Sequence, residues 1–224
     1  MDVRQHQIQP TADGSNTLLM PALGETYHSK HGAVQEAVHV FIEAGFHAVE
    51  VQPLRILEIG WGTGLNALLT WSEAHKTQRK VHYTGIEAYP VPWDMAQTMD
   101  YPQWVETPGA ADFFEQMHLM PWGAPHMLAP LFTLEKKEML FEDIRFSSQF
   151  DLIYFDAFGA RVQPWLWEKP IFEKMYAALV EGGVLVTYAA KGSVRRAMIE
   201  VGFLVERLPG PPGKREMLRA VKPI

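Results

Sequence analysis

The stretch Ile56-Leu57-Glu58-Ile59-Gly60-Trp61-Gly62-Thr63-Gly64-Leu65-Asn66 decides how this chain folds. An apolar run ends in an acid, three glycines alternate, and Leu65-Asn66-Ala67-Leu68-Leu69 opens a helical pattern. That order reads as a buried strand, a tight turn and a helix N-terminus. Glycines at alternate positions let the backbone bend sharply and let a ligand approach where a Cβ would stand. A dinucleotide fingerprint would be G-x-G-x-x-G, with its third glycine at position 65 and pyrophosphate on the helix N-terminus. Here the third glycine is Gly64, position 65 is Leu, and Glu58 stands two residues before the first glycine. A carboxylate beside the turn repels a pyrophosphate and suits the ammonium of an amino-acid moiety.

Outward from this turn the pattern alternates between strand and helix. Residues 55–59 form the first core strand and residues 65–75 the first helix. Strand two covers residues 81–87, and Phe132–Glu138 is strand three. Strand four covers residues 150–156, strand five 184–190, and a last hairpin joins residues 203–208 to Glu216–Val221. Helices fall at 170–179, ended by Gly182-Gly183, and at 194–201. Such alternation implies an α/β, Rossmann-like, mostly parallel seven-stranded sheet with one antiparallel strand at the final hairpin. Ahead of the core, residues 6–10 and 17–20 pair around Asp13-Gly14, residues 24–30 form a loop, and 33–45 form a helix with apolar residues at helical spacing. Residues 90–130 carry seven prolines and three tryptophans and read as short helices in an insertion or lid. The chain thus divides into residues 1–50, a hairpin and helix packed on the core, and 51–224, the core itself with that insertion, all within one compact unit.

Strand ends carry the chemistry, because ligands of open α/β sheets bind at the carboxyl ends where strand order reverses. Glu58 stands beside the glycine turn, Glu87 ends strand two, and Asp156 ends strand four. Glu87, followed by Ala88, is placed to accept both hydroxyls of a ribose. After strand three, Glu138 or Glu142-Asp143 offers a polar group for an adenine amine. Asp156 stands in Phe155-Asp156-Ala157-Phe158-Gly159, at the end of strand four. A carboxylate there orients an amine lone pair in line with an electrophile and relieves the amine of a proton. Aromatics near the mouth, Tyr27, Trp61, Tyr89, Phe158, Trp165 and Trp167, are suited to stack on adenine or on a substrate base. The nine histidines show no paired ligand spacing, so no metal is expected.

The acid and glycine spacing of Glu58–Gly64 resemble motif I of S-adenosylmethionine-dependent methyltransferases. More of the chain narrows the likeness. Thr26-Tyr27-His28-Ser29, Gly32, Glu36 and Val40-Phe41, then Leu57–Asn66, Gly85-Ile86-Glu87-Ala88-Tyr89-Pro90 and Asp156-Ala157-Phe158 with Pro164 and Trp167, carry the resemblance. So do Val194-Arg195-Arg196-Ala197, Gly202-Phe203, Pro209-Gly210 and Gly213-Lys214-Arg215-Glu216-Met217-Leu218. Together these stretches, spanning almost the whole chain, resemble the methyltransferase half of the bifunctional tRNA wobble-uridine enzyme MnmC and its stand-alone relatives, MnmD. Trp61 stands where that family usually has Phe, and Gly159-Ala160-Arg161-Val162-Gln163-Pro164 replaces its P-A-K-N-P run.

The resemblance implies S-adenosyl-L-methionine as cofactor and methyl transfer to the exocyclic amine of 5-aminomethyl-2-thiouridine at the tRNA wobble position. Asp156 is then the catalytic residue. Glu58, Gly60, Gly62, Gly64, Asn66, Glu87, Ala88, Glu138, Asp156 and Tyr27 hold the cofactor. Lys191, Arg195, Arg196, Lys214, Arg215 and Phe158 meet the tRNA anticodon region. With no oxidoreductase half in the sequence, the stand-alone form is expected.

Composition limits the alternatives. At 224 residues with no cysteine, the chain carries neither disulfides nor a thiolate metal site. The same absence removes radical methylation on a Cys-held iron–sulfur cluster and attack by a Cys nucleophile on a pyrimidine, leaving direct displacement. The N-terminal Met1-Asp2-Val3-Arg4-Gln5-His6 has no apolar core, and no apolar run approaches a membrane span, so a cytoplasmic protein is expected. Net charge is −6, against indiscriminate nucleic-acid binding. Residues 181–224, however, hold eight Lys/Arg against four Glu, whereas residues 1–180 hold twelve basic and twenty-two acidic side chains. That asymmetry marks either an anionic-partner site or a solvated surface. Rival readings are an aminopropyl transferase with a compact acidic channel, a nicotinamide oxidoreductase, and a non-catalytic ligand- or RNA-binding module.

Overall fold

A computed structural model describes residues 7–21, 24–27 and 31–224. The N-terminal segment 1–5, position 6 of the expected first strand and residues 28–30 of the expected loop lie outside them. Strands β1 (Gln7–Pro10), β2 (Asn16–Met20) and β3 (Glu25–Thr26) form a small antiparallel sheet. Asp13 closes the β1–β2 turn, accepting the Ser15 amide at 2.9 Å and the Thr11 hydroxyl at 2.7 Å. Helix α1 (Ala33–Ala37) then passes into a π-helical turn at Val38–Glu43, where a regular helix to position 45 was expected. The Ala44 amide reaches back five residues to the His39 carbonyl, 3.2 Å away. The wider turn lets three successive apolar residues, Val40, Phe41 and Ile42, all be buried.

The core follows as β4 (Leu54–Ile59), α2 (Leu65–Thr77), β5 (Val81–Glu87), α3 (Trp93–Ala96), α4 (Ala110–Leu119), β6 (Pro125–Ala129) and β7 (Phe132–Glu138). It continues with β8 (Phe150–Phe155), α5 (Lys169–Ala178), β9 (Leu179–Thr187), α6 (Gly192–Val201), β10 (Leu204–Pro209) and β11 (Glu216–Val221). Spatial order in the main sheet is β10-β11-β9-β8-β4-β5-β7-β6. The steps from β9 through β8, β4 and β5 to β7 are parallel, as the strand–helix alternation requires. Strand order reverses at the β4–β8 step, and the site lies there.

The expected α/β fold is present with two differences. The sheet has eight strands, because Pro125–Ala129 pairs antiparallel with β7, a strand hidden by the prolines around it. The antiparallel β11 is inserted between β9 and β10, so β10 forms the edge in place of the expected antiparallel edge.

Both faces of the parallel strands are buried, as such sheets require. Leu54 and Ile56 of β4, Tyr83 of β5 and Tyr154 of β8 face the cluster beneath α1, α2 and α4. Leu57, Ile59, Ile86 and Phe155 face the cluster beneath α5 and α6. Residues 90–130 supply part of the first cluster: Phe113 of α4 stacks on Trp71 of α2 at 4.3 Å, and Tyr101, Phe114 and Met117 are buried. Met117 and His118 also pack on Gly64, where an added Cβ would stand 2.6 Å from Met117 Cε. Strand β7 carries a buried lysine on its apolar face. Lys136 Nζ donates to the His118 carbonyl at 2.8 Å and lies 4.8 Å from the Trp122 ring centroid. Burial lowers its pKa to about 8.

Candidate active site

The turn after β4 is built as its glycines predict. The Gly60 and Trp61 amides both donate to the Ile86 carbonyl, at 3.1 and 3.0 Å, which folds the turn across the end of β5. Gly60 has φ 91°, and a Cβ there would stand 2.6 Å from the Asp156 carbonyl oxygen. Gly62 has φ 51° and lies under the Tyr27 ring, which would meet an added Cβ at 3.0 Å. Side chains at either position are excluded by conformation and by contact.

A cavity of about 240 Å³ opens at the carboxyl ends of β4, β5 and β8. Gly60, Gly62, Asn66, Glu87, Ala88, Asp156 and Tyr27 line it, so seven of the expected cofactor residues converge. Glu87 accepts the Gly62 amide on Oε2 and the Tyr89 amide on Oε1, both at 3.0 Å. Burial raises its pKa against the pull of those amides. Tyr89 and Trp165 are exposed at the rim, and Trp61 is buried in the wall. Trp167 is core: its indole donates to the Phe158 carbonyl at 2.7 Å.

Three expected residues stand elsewhere. Glu138 is exposed and away from the cavity; Leu140, Phe141 and Glu142 line it instead, because β7 ends before the chain turns inward. Gly64 faces Met117 and His118. Glu58 is fully buried beneath the turn, on the face of β4 that α2 covers. Its Oε1 accepts from Asn66 Nδ2 at 2.9 Å, and its carboxyl also interacts with the buried Tyr83 hydroxyl. Burial pushes its pKa well above the carboxylate range.

Asp156 follows β8 and lines this cavity, and the residues next to it border a second one of about 770 Å³. Tyr27, Ala157 and Phe158 line both. Asp156 Oδ2 accepts the second hydrogen of Asn66 Nδ2 at 2.9 Å. Burial raises its pKa to about 7, against the Asn66 hydrogen bond; Glu36 adds to the rise and Lys214 opposes it. Tyr188 donates to the Ala157 carbonyl at 2.8 Å, and Phe158 meets Tyr27 edge-on at 4.9 Å.

The expected basic residues divide. Lys191, Lys214 and Arg215 line the second cavity with Phe158. Lys214 is engaged inside it, 2.5 Å from Glu36 and 4.0 Å above the Tyr188 ring centroid. Arg195 and Arg196 project from α6, Arg196 exposed and Arg195 with a buried Nε. Glu36 and Tyr188 were not singled out as site residues from the sequence. Glu36 lay within a matching stretch, and only the folded α1 shows that it faces Lys214.

Residues 131–223 match a family model described as S-adenosyl-L-methionine-dependent methyltransferase. Over that stretch the chain is similar to the S-adenosyl-L-methionine-dependent methyltransferases. It is 32% identical over 93% of its length to a protein of Polaromonas naphthalenivorans, and 29% identical over 98% to one of Aromatoleum aromaticum. Both relatives are named tRNA 5-methylaminomethyl-2-thiouridine biosynthesis bifunctional protein MnmC. The chain spans about a third of their length, 34% and 36% respectively. The crystal structure of MnmC2 from Aquifex aeolicus shares the fold, with a TM-score of 0.76 and 22% identity, over 98% of this chain and 73% of that one.

The methyltransferase cofactor is S-adenosyl-L-methionine, and the smaller cavity suits it. A glycine turn without Cβ atoms, a strand-end carboxylate and an apolar wall at Leu140, Phe141 and Leu166 provide for amino acid, ribose and adenine together. Among the described residues, no group of three or more His, Cys, Asp or Glu is arranged to hold a metal ion, and no helix is long and apolar enough to cross a membrane.

Proposed function

We propose that this methyltransferase transfers its methyl group to the aminomethyl nitrogen of 5-aminomethyl-2-thiouridine at the tRNA wobble position, giving the 5-methylaminomethyl product. The observation that carries the reading is Asp156, a half-buried carboxylate in the smaller cavity, followed directly by Ala157 and Phe158, which line both cavities. The bound cofactor supplies an electrophilic methyl on a sulfonium. Gly60, Gly62, Glu87 and Ala88 hold its amino acid and ribose, and Tyr27 covers the turn. Asp156 faces the acceptor nitrogen, accepts its hydrogen and aims its lone pair along the carbon–sulfur bond. As nitrogen–carbon bonding replaces carbon–sulfur bonding, the nitrogen gains positive charge and sheds one proton, to the carboxylate or through it to water. An Asp156 pKa near 7 suits a group that must be ionised at working pH yet able to take a proton.

The larger cavity is the place of the flipped base. Phe158 offers a stacking edge, while Lys191 and Arg215 at its rim meet phosphates of the anticodon loop. Arg195 and Arg196 extend that positive face along α6. With tRNA as substrate, the work belongs to the cytoplasm. Incubating the protein with methyl-labelled S-adenosyl-L-methionine and tRNA bearing the aminomethyl nucleoside, followed by nucleoside mass spectrometry, tests the reading. Label in the 5-methylaminomethyl nucleoside is expected; label only in free small amines would overturn it.

A further inference from the structure

We infer that Asn66 is a positioning residue for Asp156, anchored from beneath by Glu58, and that Glu58 does not itself hold the cofactor. The role given to Asp156 rests on the methyl-transfer reading; the geometry does not. A single amide nitrogen, Asn66 Nδ2, has two hydrogens and spends both on carboxylates, one on Glu58 Oε1 and one on Asp156 Oδ2, each at 2.9 Å. Reversing the amide would place its oxygen against the Asp156 carboxylate and remove that carboxylate's side-chain donor, so Asp156 sets the orientation.

The depth of each partner separates their roles. Glu58 has no exposed surface, shares the inner face of β4 with Leu54 and Ile56, and does not line the cofactor cavity. The Glu58 carboxyl and the Tyr83 hydroxyl are buried together and interact, so Tyr83 steadies Glu58 from the core side. A carboxyl this deep favours its neutral form, and its use is to hold the Asn66 amide in place. Asn66 lines the cavity and passes that constraint to Asp156. Its own Oδ1 is buried and unpartnered, so its fixed orientation depends on the two carboxyls.

The groups facing Asp156 come from every side. Asn66 is on α2, Glu36 on α1, Glu58 on β4, Lys214 on the loop before β11, and Tyr188 follows β9. Tyr83 and Tyr101 lie within electrostatic range. Among these, Asn66 is the side-chain hydrogen-bond donor to the carboxylate. Removing it disfavours the anion while leaving every charge in place.

Two measurements on the full chain test the assignment without RNA. Carbon-13 carboxylate NMR follows the titration of Asp156 in the wild type, Asn66→Ala and Asn66→Ser. The midpoint is expected to rise by about one pH unit in Asn66→Ala, tenfold in the proton equilibrium, and by less in Asn66→Ser, which keeps one shorter donor. Should the alanine variant fail to fold, the serine variant carries the reading. Calorimetry with S-adenosylhomocysteine is expected to give Glu58→Gln an affinity within about threefold of wild type. An unmoved Asp156 midpoint in both Asn66 variants, or a tenfold loss of affinity in Glu58→Gln, would overturn the inference. Failure of tRNA methylation would leave both measurements standing and remove only the role of Asp156.

Discussion

Lys214 Nζ lies 2.5 Å from Glu36 Oε2, joining residues 178 positions apart across the wall of the acceptor cavity. Side-chain exposure is 31% for the lysine and 11% for the glutamate, so the pair is sheltered enough to matter and open enough to relax. It ties α1 to the loop before β11, and its cation rests on Tyr188, whose hydroxyl holds the carbonyl after Asp156. The pair therefore sets the electrostatics around the candidate catalytic carboxylate as well as its shape.

Lys214→Ala removes the positive charge that opposes the raised pKa of Asp156 and leaves Glu36 uncompensated nearby. The acid limb of single-turnover methyl transfer is expected to move to higher pH, by roughly one unit. A pH–rate profile checks this. Lys214→Ala with Glu36→Gln together should move the limb back, because the second change removes the charge stranded by the first.

Asp156 itself trades stability for chemistry. Replacing it with Asn should slow methyl transfer by about 10²–10⁴-fold, the range for a positioned acid–base group, and Ala at least as far. Folded Asp156 titrates near 7, against an ordinary carboxylate value near 4 in the unfolded chain. Below about pH 4 both states are protonated and the group costs nothing. From there to about pH 7 the unfolded chain has released a proton that the folded one keeps, so stability falls as pH rises. Asp156→Asn should accordingly melt higher than wild type at pH 8 and at a similar temperature at pH 4. Thermal scans at the two values check the sign; Glu58 and Glu87 are common to both proteins.

Glu87 is the expected ribose ligand. Glu87→Ala should weaken cofactor affinity by about 10- to 150-fold, the equivalent of the ~1.5–3 kcal/mol of a hydrogen bond to a charged group. It also frees the Gly62 and Tyr89 amides from their shared acceptor. Calorimetry with S-adenosyl-L-methionine reads the effect; unchanged affinity, or a preference for NAD, would remove the assignment.

On the RNA side, Lys191→Glu and Arg215→Glu should weaken tRNA binding while leaving cofactor affinity near wild type. Each lost phosphate contact should lower the slope of log K against log salt by about one unit. Filter binding over a salt series measures it. Lys214→Glu is a poorer probe of the same face, since that lysine is already committed to Glu36.

The glycine turn, the strand-ending acids Glu87 and Asp156, and the alternation that sets the parallel sheet were all legible in the sequence. They are local patterns with local physical causes. Depth was not legible. Glu58 stands one residue before the end of its strand, where Glu87 stands at the end of its own, and period-two alternation puts it on the face with Leu54 and Ile56, beneath α2. The same alternation, Phe132, Leu134, Lys136, places the buried lysine of β7 on the core face. Glu142 replaces Glu138 at the cavity because the residue that faces inward depends on where β7 ends. The Glu36–Lys214 pair needed the fold itself, since nothing in either neighbourhood points to the other.

Met117 and His118 bear directly on the glycine turn through Gly64, and Phe113 is stacked on the helix that the turn begins. Residues 90–130 are thus a mould against which the cofactor turn is cast, rather than a cover laid over it. An engineer shortening this segment, or exchanging it for that of another methyltransferase, would be altering the cofactor site from behind. Changes intended to retune substrate choice are better made at Gly159, Ala160 and Arg161, which border the larger cavity and not the smaller one, and leave the mould intact.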